Sequence, residues 1–141
     1  EEIIELKYYY YNWDMNFFTY LENIDMDVRG LNVKAVLDGS IVFPNTPIIQ
    51  ITGSVAIGQL LETTLLNIMG HPTLIATYSR RIRLQVGDKA KLVEFGLRRA
   101  QGETTCSNSS KYSWVGGFDG TSNVKTGLEY SIPVTGTHAH S

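Results

Sequence analysis

The alternation of apolar and polar positions along the chain begins with a helical period. Phe17, Tyr20 and Leu21 recur at positions i, i+3 and i+4, which predicts a short amphipathic helix over residues 16–23 with these side chains in the core. Residues 1–7 have the pattern of the end of another helix. The aromatic block between the two segments, residues 8–13, is predicted to pack at the surface.

A period of two follows and predicts a small antiparallel sheet. Apolar and polar residues alternate over residues 32–37, and the pair Asp38-Gly39 is a hairpin turn signal. A second strand is therefore predicted to resume at Ile41 and Phe43. A second turn at residues 44–47 and a third strand at residues 48–52 complete the predicted sheet.

A helical period returns after Gly53. Apolar residues recur at helical spacing as far as Gly70, which predicts a helix of about four turns that ends there. Pro72 suits the first turn of a second helix, which Gly87 closes. The predicted buried stripe of that helix is Leu74, Ile75, Tyr78 and Ile82. Its C-terminal half carries three cations, Arg80, Arg81 and Arg83, which suit a solvated helix face better than an anion site.

Three short apolar segments in the last part of the chain are each followed by polar or glycine-rich residues. The predicted strands end near Phe95, Phe118 and Val134. Residues 103–111 have no periodicity and are predicted as a loop, whereas residues 124–130 are predicted as a short helix. Strand ends followed by polar segments are what an α/β barrel presents at its catalytic face, so the predicted fold class is α/β.

The segment from Glu94 to Gly102 combines an acid, an aromatic ring, two arginines and two glycines in nine residues. Arg98 and Arg99 offer planar donors for a carboxylate or phosphate, and Phe95 could stack on a flat ring. An exposed junction with solvated arginines explains the segment equally well. We expect one of the two arginines to point away from any ligand, toward a structural acid such as Glu94.

Two later segments have candidate binding chemistry. Residues 116–123 bring three glycines together with small polar side chains, which permits close approach of the backbone to a ligand. His138 and His140 would project to one side of an extended chain. No third metal ligand of suitable type is evident, so we predict no metal site in this chain.

Composition narrows the functional classes. The chain has 141 residues, of which 43% are hydrophobic and 18% charged, enough for one ordinary core. A net charge of −2 argues against nucleic acid as a partner, and no apolar run is long enough for a membrane span. The single cysteine, Cys106, suits a reducing compartment. A cytoplasmic protein is expected.

Three motifs together, EFGLRRAQG, GGFDGTSN and GTHAHS, resemble the nicotinate phosphoribosyltransferases, which have the type II phosphoribosyltransferase fold. GSIVFPNTPIIQITG and QLLETTLLN extend the resemblance. It implies a partial N-terminal α/β domain over residues 1–53, followed by linking helices and the first strands and helices of an irregular α/β barrel over residues 54–141. It also implies formation of nicotinate mononucleotide and pyrophosphate from nicotinate and phosphoribosyl pyrophosphate, with coupled ATP hydrolysis and a homodimer.

The same resemblance assigns roles to individual residues. His140 matches the histidine that ATP phosphorylates transiently, and Thr137, with Gly136 beside it, matches a nicotinate-contacting residue. Arg98 and Arg99 would line the substrate pocket, with Phe95 at its wall. Mg²⁺ is expected as well, with ligands outside this chain.

Ser122 bears on the choice of base. In the sister family that uses nicotinamide, an aspartate at the matching position accepts hydrogen bonds from the substrate amide. A carboxylate substrate offers no such donor and would be repelled by an acid, so Ser122 favours nicotinate.

Departures from the family pattern leave alternatives open. Residues 103–108 lack an expected proline and glycine pair, Ser54 replaces an expected proline, and the glycine-rich phosphate-binding loop has no counterpart. We expect the chain to be an internal piece of a longer one. A truncated, catalytically incomplete paralogue that acts as a binding or dimerisation partner, and a nicotinamide-using relative, remain the two alternatives.

Overall fold

The structure is a computed structural model that describes residues 2–24 and 30–136. The helices are α1 (Glu2–Tyr9), α2 (Met15–Asn23), α3 (Val55–Val86), α4 (Glu103–Val115) and α5 (Val124–Tyr130). The strands are β1 (Asn32–Ala35), β2 (Ile49–Thr52), β3 (Val93–Glu94) and β4 (Gly120–Thr121), and a 3₁₀ helix spans Leu97–Arg99. The mixture of helices and strands confirms the α/β class.

The chain divides into two compact units. The first contains α1, α2, β1 and β2, and the second contains most of α3 and all later elements. The division predicted between residues 53 and 54 stays a prediction. No helix in residues 2–24 and 30–136 has the length and apolar character that crossing a membrane requires.

In the first unit, α2 forms as predicted but buries a different side chain. The Asp14 carboxylate caps the helix by accepting a hydrogen bond from the Asn16 N–H at 2.8 Å. Phe18 is fully buried, whereas Phe17 and Tyr20 are 42% and 49% exposed, so the predicted stripe was wrong. Trp13 stacks on Phe18 with ring centroids 6.3 Å apart. Trp13 also contacts Phe17, with ring centroids 5.7 Å apart, so both phenylalanine rings belong to one aromatic cluster.

The antiparallel sheet of the first unit has two strands. β1 pairs with β2 from Asn32 opposite Thr52 to Ala35 opposite Ile49. The strand predicted over residues 41–43 is absent, and Ile41 and Phe43 are exposed. Both predicted turns form, but β2 occupies the position beside β1, so the residues between the turns have no strand to pair with. The prediction of three strands was therefore wrong by one.

The second unit begins with one long helix where two were predicted. α3 continues through Gly70 and Pro72 for 32 residues and ends at Gly87, which adopts a φ of +62°. Leu74 and Tyr78 are exposed, contrary to prediction, and the buried residues nearby are Pro72 and Ser79. A Cβ atom placed on Gly116 would lie 2.5 Å from the Ser79 Cβ. Close approach of the Gly116 backbone explains why small residues replace leucine on this face.

Three parallel segments form the sheet of the second unit. Val93 and Glu94 pair with Gly120 and Thr121, and Thr121 bridges to Val134 on its other side. The three predicted strand ends therefore lie side by side, and the middle strand ends three residues later than expected, at Thr121. Helices α4 and α5 connect them, as parallel strands require.

Helix α4 replaces the loop predicted over residues 103–111. Serine, threonine and asparagine have weak helix propensity, so local sequence gave no helical signal. Ser110 and Ser113 on this helix are 1% and 6% exposed, and α4 contacts β3, β4 and α5. Packing of this small-residue face on the sheet stabilises the helix. Helix α5 is confirmed, with the Asn123 side chain accepting from the Thr126 N–H at 3.2 Å.

Candidate functional site

The carboxyl ends of β3 and β4 lie next to each other and carry the predicted site residues. Glu94 and Thr121 are paired across the ladder, and the Ser122 N–H donates to the Glu94 carbonyl at 3.0 Å. The chain therefore leaves both strands from one edge of the sheet, where ligands bind in α/β folds. Val134 extends this edge, because the Thr135 N–H donates to the Thr121 carbonyl at 2.9 Å.

The Glu94 carboxylate accepts hydrogen bonds from three parts of the second unit. Its Oε2 accepts from the Ser110 hydroxyl at 2.9 Å and from the Thr121 hydroxyl at 2.8 Å, and its Oε1 accepts from the Gly96 N–H. We refer to these four residues as the Glu94 network. Ser110 and Thr121 are 1% and 0% exposed, so both hydroxyls are bound away from water. We expected an arginine partner for Glu94, and sequence analysis missed these three donors.

Residues 96–99, which we call the arginine segment, contain a short 3₁₀ helix. Leu97 to Arg99 form its single turn, with the Arg99 N–H donating to the Gly96 carbonyl at 2.9 Å. Arg98 and Arg99 are both exposed, and Phe95 is 50% exposed. Arg99 lines a cleft of about 390 Å³, which Arg98 does not line. The cleft lies between the arginine segment, α4 and α3, with Ile75, Cys106 and Ser109 among its lining residues.

Ser122 is held at the start of α5 by its neighbours. The Asn123 N–H donates to the Thr121 hydroxyl at 3.0 Å, and Asn123 is buried as the helix cap. Together with the Ser122 N–H bond to Glu94, these contacts fix the backbone on both sides of the half-buried Ser122 side chain. Ser122 and Asn123, the last two residues of the glycine-rich segment, thus form a turn between β4 and α5 that hydrogen bonds hold on both sides.

The remaining predicted site residues belong to the last motif, GTHAHS, at residues 136–141. Gly136 is exposed and lies two residues beyond Val134 at the same sheet edge. Thr137 and His140, with His138 between them, lie outside the described residues. In residues 2–24 and 30–136, no group of three or more histidine, cysteine or acidic side chains could hold a metal ion.

Arg83 binds the opposite end of the sheet. Its Nε donates to the Gly117 carbonyl at 2.7 Å, its Nη1 to the carbonyls of Gly87 at 2.8 Å and Ala90 at 3.2 Å, and its Nη2 to the Asp119 carboxylate. We call this set of contacts the Arg83 clamp. Arg80 and Arg81 are exposed, as a solvated face predicts, but for Arg83 that interpretation was wrong. No sequence signal marked Arg83 as different from its two neighbours.

The clamp changes the acidity of its carboxylate. The Leu92 N–H donates to Asp119 at 2.7 Å, and the Arg83 guanidinium donates to the same oxygen. The Leu92 hydrogen bond first, and the Arg83 hydrogen bond second, lower the pKa of Asp119 below its ordinary value. Both bonds favour the ionised carboxylate.

Comparison with known proteins matches the chain to nicotinate phosphoribosyltransferases. No family model matches the chain. It is 47% identical over 130 residues to a nicotinate phosphoribosyltransferase of Caenorhabditis elegans, covering 92% of this chain and 23% of that protein. It is 41% identical over 141 residues to the Dictyostelium discoideum enzyme of that name, covering 100% of this chain and 24% of the relative. The chain thus spans about a quarter of the length of the curated relatives it matches.

A solved structure agrees with the sequence comparison. The crystal structure of human nicotinic acid phosphoribosyltransferase matches the chain with a TM-score of 0.84 and 39% identity. The match covers 99% of this chain and 28% of the human chain.

Proposed function

Because this chain is homologous over most of its length to one stretch of the nicotinate phosphoribosyltransferases, we propose that the protein catalyses that reaction. Nicotinate and phosphoribosyl pyrophosphate would give nicotinate mononucleotide and pyrophosphate, with coupled hydrolysis of ATP. The observation that carries the proposal is the match to the human enzyme, at 39% identity and a TM-score of 0.84 over 99% of the chain. The activity belongs to the whole protein, of which these residues would supply the base pocket.

The placement of the arginine segment supports a role in anion binding. Arg98 and Arg99 are exposed at the carboxyl end of β3, where their guanidinium groups are accessible to the nicotinate carboxylate or to phosphoribosyl oxygens. The half-exposed Phe95 ring precedes them and offers an apolar face for the pyridine ring. Of the two arginines, Arg99 lines the cleft. That one of them points away toward a structural acid such as Glu94 stays a prediction.

The last motif would supply the coupling to ATP. We propose that ATP phosphorylates His140 and that Thr137 and Gly136 contact the substrates. Gly136 follows the third parallel segment, so the motif departs from the same sheet edge as Phe95 and Ser122. Ligands for Mg²⁺ are proposed to lie elsewhere in the whole protein, which would act as a homodimer in the cytoplasm.

The chemistry of the transfer explains why the chain positions polar groups at this edge. Transfer of this kind develops positive charge at the ribose as pyrophosphate leaves, so orientation and charge stabilisation carry the rate. The guanidinium groups of Arg98 and Arg99 would bind the anionic ends of the substrates, at a distance from the carbon atom that reacts. Ser122 adds a neutral hydroxyl near the base, which a substrate carboxylate tolerates.

Turnover assays with the full-length natural protein test the proposal. With phosphoribosyl pyrophosphate, ATP and Mg²⁺ present, nicotinate should be converted to its mononucleotide and nicotinamide should be a much poorer base. A preference for nicotinamide would contradict the proposal. Binding of nicotinate without turnover would support the catalytically incomplete paralogue.

The coupling role of His140 has its own control. His140→Ala should abolish the stimulation by ATP, whereas His138→Ala, two residues earlier, should retain it. An unchanged stimulation in His140→Ala would refute the phosphohistidine role and leave the transfer activity standing.

A further inference from the structure

We propose that Glu94 is a positioning residue that sets the spacing between the arginine segment and Ser122. The inference rests on the proposed function and goes beyond it, because Glu94 would act through its neighbours and need not touch a substrate. Glu94 is the last residue of β3, immediately before Phe95. Its carboxylate is the only group in the Glu94 network that contacts all three other members.

The donors come from three separate elements. The Gly96 N–H belongs to the arginine segment, the Ser110 hydroxyl to α4 and the Thr121 hydroxyl to β4. A Cβ atom placed on Gly96 would lie 2.9 Å from the Glu94 Oε1, which shows how closely this backbone approaches the carboxylate. One side chain therefore ties the start of the arginine segment to the end of the neighbouring strand.

The chemistry of the network requires a carboxylate. An ionised carboxylate only accepts hydrogen bonds, and all three neighbours supply donors. Charge-assisted bonds of this kind are stronger than neutral ones, and the buried hydroxyls of Ser110 and Thr121 would lose a strong acceptor without it. A glutamine has the same shape but offers one acceptor oxygen and one donor nitrogen, so it cannot satisfy all three donors.

The Glu94 network lies directly beside the residues that we propose to bind the substrates. Gly96 follows Phe95 and precedes the 3₁₀ turn that carries both arginines. Thr121 is followed by Ser122, whose N–H donates to the Glu94 carbonyl. Glu94 therefore holds both flanks of the base pocket with its side chain and its backbone. A displacement of about 1 Å in a reacting pair can cost about 100-fold in rate, so loosening this junction should lower turnover.

A double-mutant cycle in the full-length protein tests the positioning role. We expect Glu94→Gln to lower kcat/KM for nicotinate by roughly tenfold or more. Ser110→Ala, which removes the hydroxyl that donates to the Glu94 Oε2, should lower it by a smaller factor. If both act through one junction, the double variant should be no worse than Glu94→Gln alone. Losses that multiply, or a Glu94→Gln value within about twofold of wild type, would overturn the inference.

Hydrogen–deuterium exchange supplies a measurement that does not depend on activity. Glu94→Gln should accelerate exchange at residues 96–99 and at residues 121–123 together, with exchange along α3 unchanged. Glu103→Gln is the matched control, because Glu103 forms an exposed ion pair with Lys125. Accelerated exchange throughout the unit would indicate a general structural role and overturn the positioning role.

The two measurements separate this inference from the proposed function. A wild-type protein without nicotinate turnover would refute the proposed function, and the exchange result alone would then decide whether Glu94 couples the two segments. Unchanged exchange at residues 96–99 in Glu94→Gln would refute the coupling whatever the enzyme activity.

Discussion

The Arg83 guanidinium donates a hydrogen bond to the Asp119 carboxylate and so joins α3 to the residue that precedes β4. The Arg83 side chain is only 11% exposed, and its other donors bind the carbonyls of Gly87, Ala90 and Gly117. The Arg83 side chain thus connects the end of α3 to two loops at the amino-terminal end of the sheet. The residues that we propose to bind the substrates lie at the other, carboxyl-terminal end of the sheet.

Replacement of Arg83 should destabilise the second unit. Arg83→Lys keeps the charge but cannot reach four acceptors in a planar arrangement, and we expect a loss of about 2 kcal/mol in the free energy of unfolding. Urea denaturation of the full-length protein measures this loss. Arg81→Lys, on the exposed side of the same helix, is the control and should stay within about 0.5 kcal/mol of wild type. Equal stabilities of the two variants would contradict the structural role of Arg83.

The clamp predicts sensitivity to acid. Since the folded pKa of Asp119 is lowered, its ionisation stabilises the fold fully above the ordinary aspartate pKa of about 3.9, and this stabilisation disappears as the pH falls through the lower folded value. Asp119→Asn should therefore be less stable than wild type near neutral pH, and the difference should shrink below about pH 4. Solvent screening moderates the effect, because the carboxylate is 42% exposed. Asp88→Asn, on the exposed loop before β3, should show no such pH-dependent difference.

Gly116 should not tolerate a side chain. An added Cβ would lie 2.5 Å from the Ser79 Cβ and 2.6 Å from the Ala76 carbonyl oxygen, so α3 would have to move. We expect Gly116→Ala to cost about 1–3 kcal/mol, measured as a lower Tm. Gly70→Ala is the opposite control, because nothing lies within 4 Å of its added Cβ and alanine favours a helix interior by about 1 kcal/mol. A neutral Gly116→Ala would show that α3 and α4 are less closely packed.

Ser122 should influence the choice of base. Ser122→Asp places a carboxylate beside the pocket, which should repel nicotinate and accept hydrogen bonds from the nicotinamide amide. The ratio of kcat/KM for the two bases should move toward nicotinamide. Ser122→Asn has the same size without the charge and separates electrostatic from steric effects. Equal ratios in wild type and Ser122→Asp would refute the role of Ser122.

The parts of the fold that sequence predicted are those set by local chemistry. Gly87 ends α3 in a left-handed conformation, and the short helix predicted over residues 124–130 forms as α5. The three parallel segments were also predicted, because short apolar segments followed by glycine or polar residues are typical of strand ends in an α/β fold. In each case the signal lies within a few residues of the feature it specifies.

The wrong predictions share one cause, which is contact between residues that are far apart in the sequence. Pro72 suits a helix start locally, yet α3 passes through it and packs at Ser79 against the backbone of Gly116, 37 residues later in the chain. Residues 103–111 have little helix propensity and become helical because Ser110 and Ser113 fit against the sheet. Glu94 gave little sign of its importance in the sequence, since two of its three hydrogen-bond partners lie 16 and 27 residues away. Such contacts cannot be read from periodicity.

The shortness of β4 has an evolutionary consequence. Asp119, which binds the Arg83 clamp, and Thr121, which binds Glu94, are separated by one glycine whose added Cβ would lie 2.7 Å from the Pro133 carbonyl oxygen. A substitution that alters the substrate-binding end of this short strand also disturbs the residues that bind Arg83. Selection for a new base specificity should therefore change the thermostability of the protein at the same time. Adaptive substitutions at Ser122 should therefore arise after stabilising ones elsewhere in the unit, and their order along a reconstructed ancestry should record that dependence.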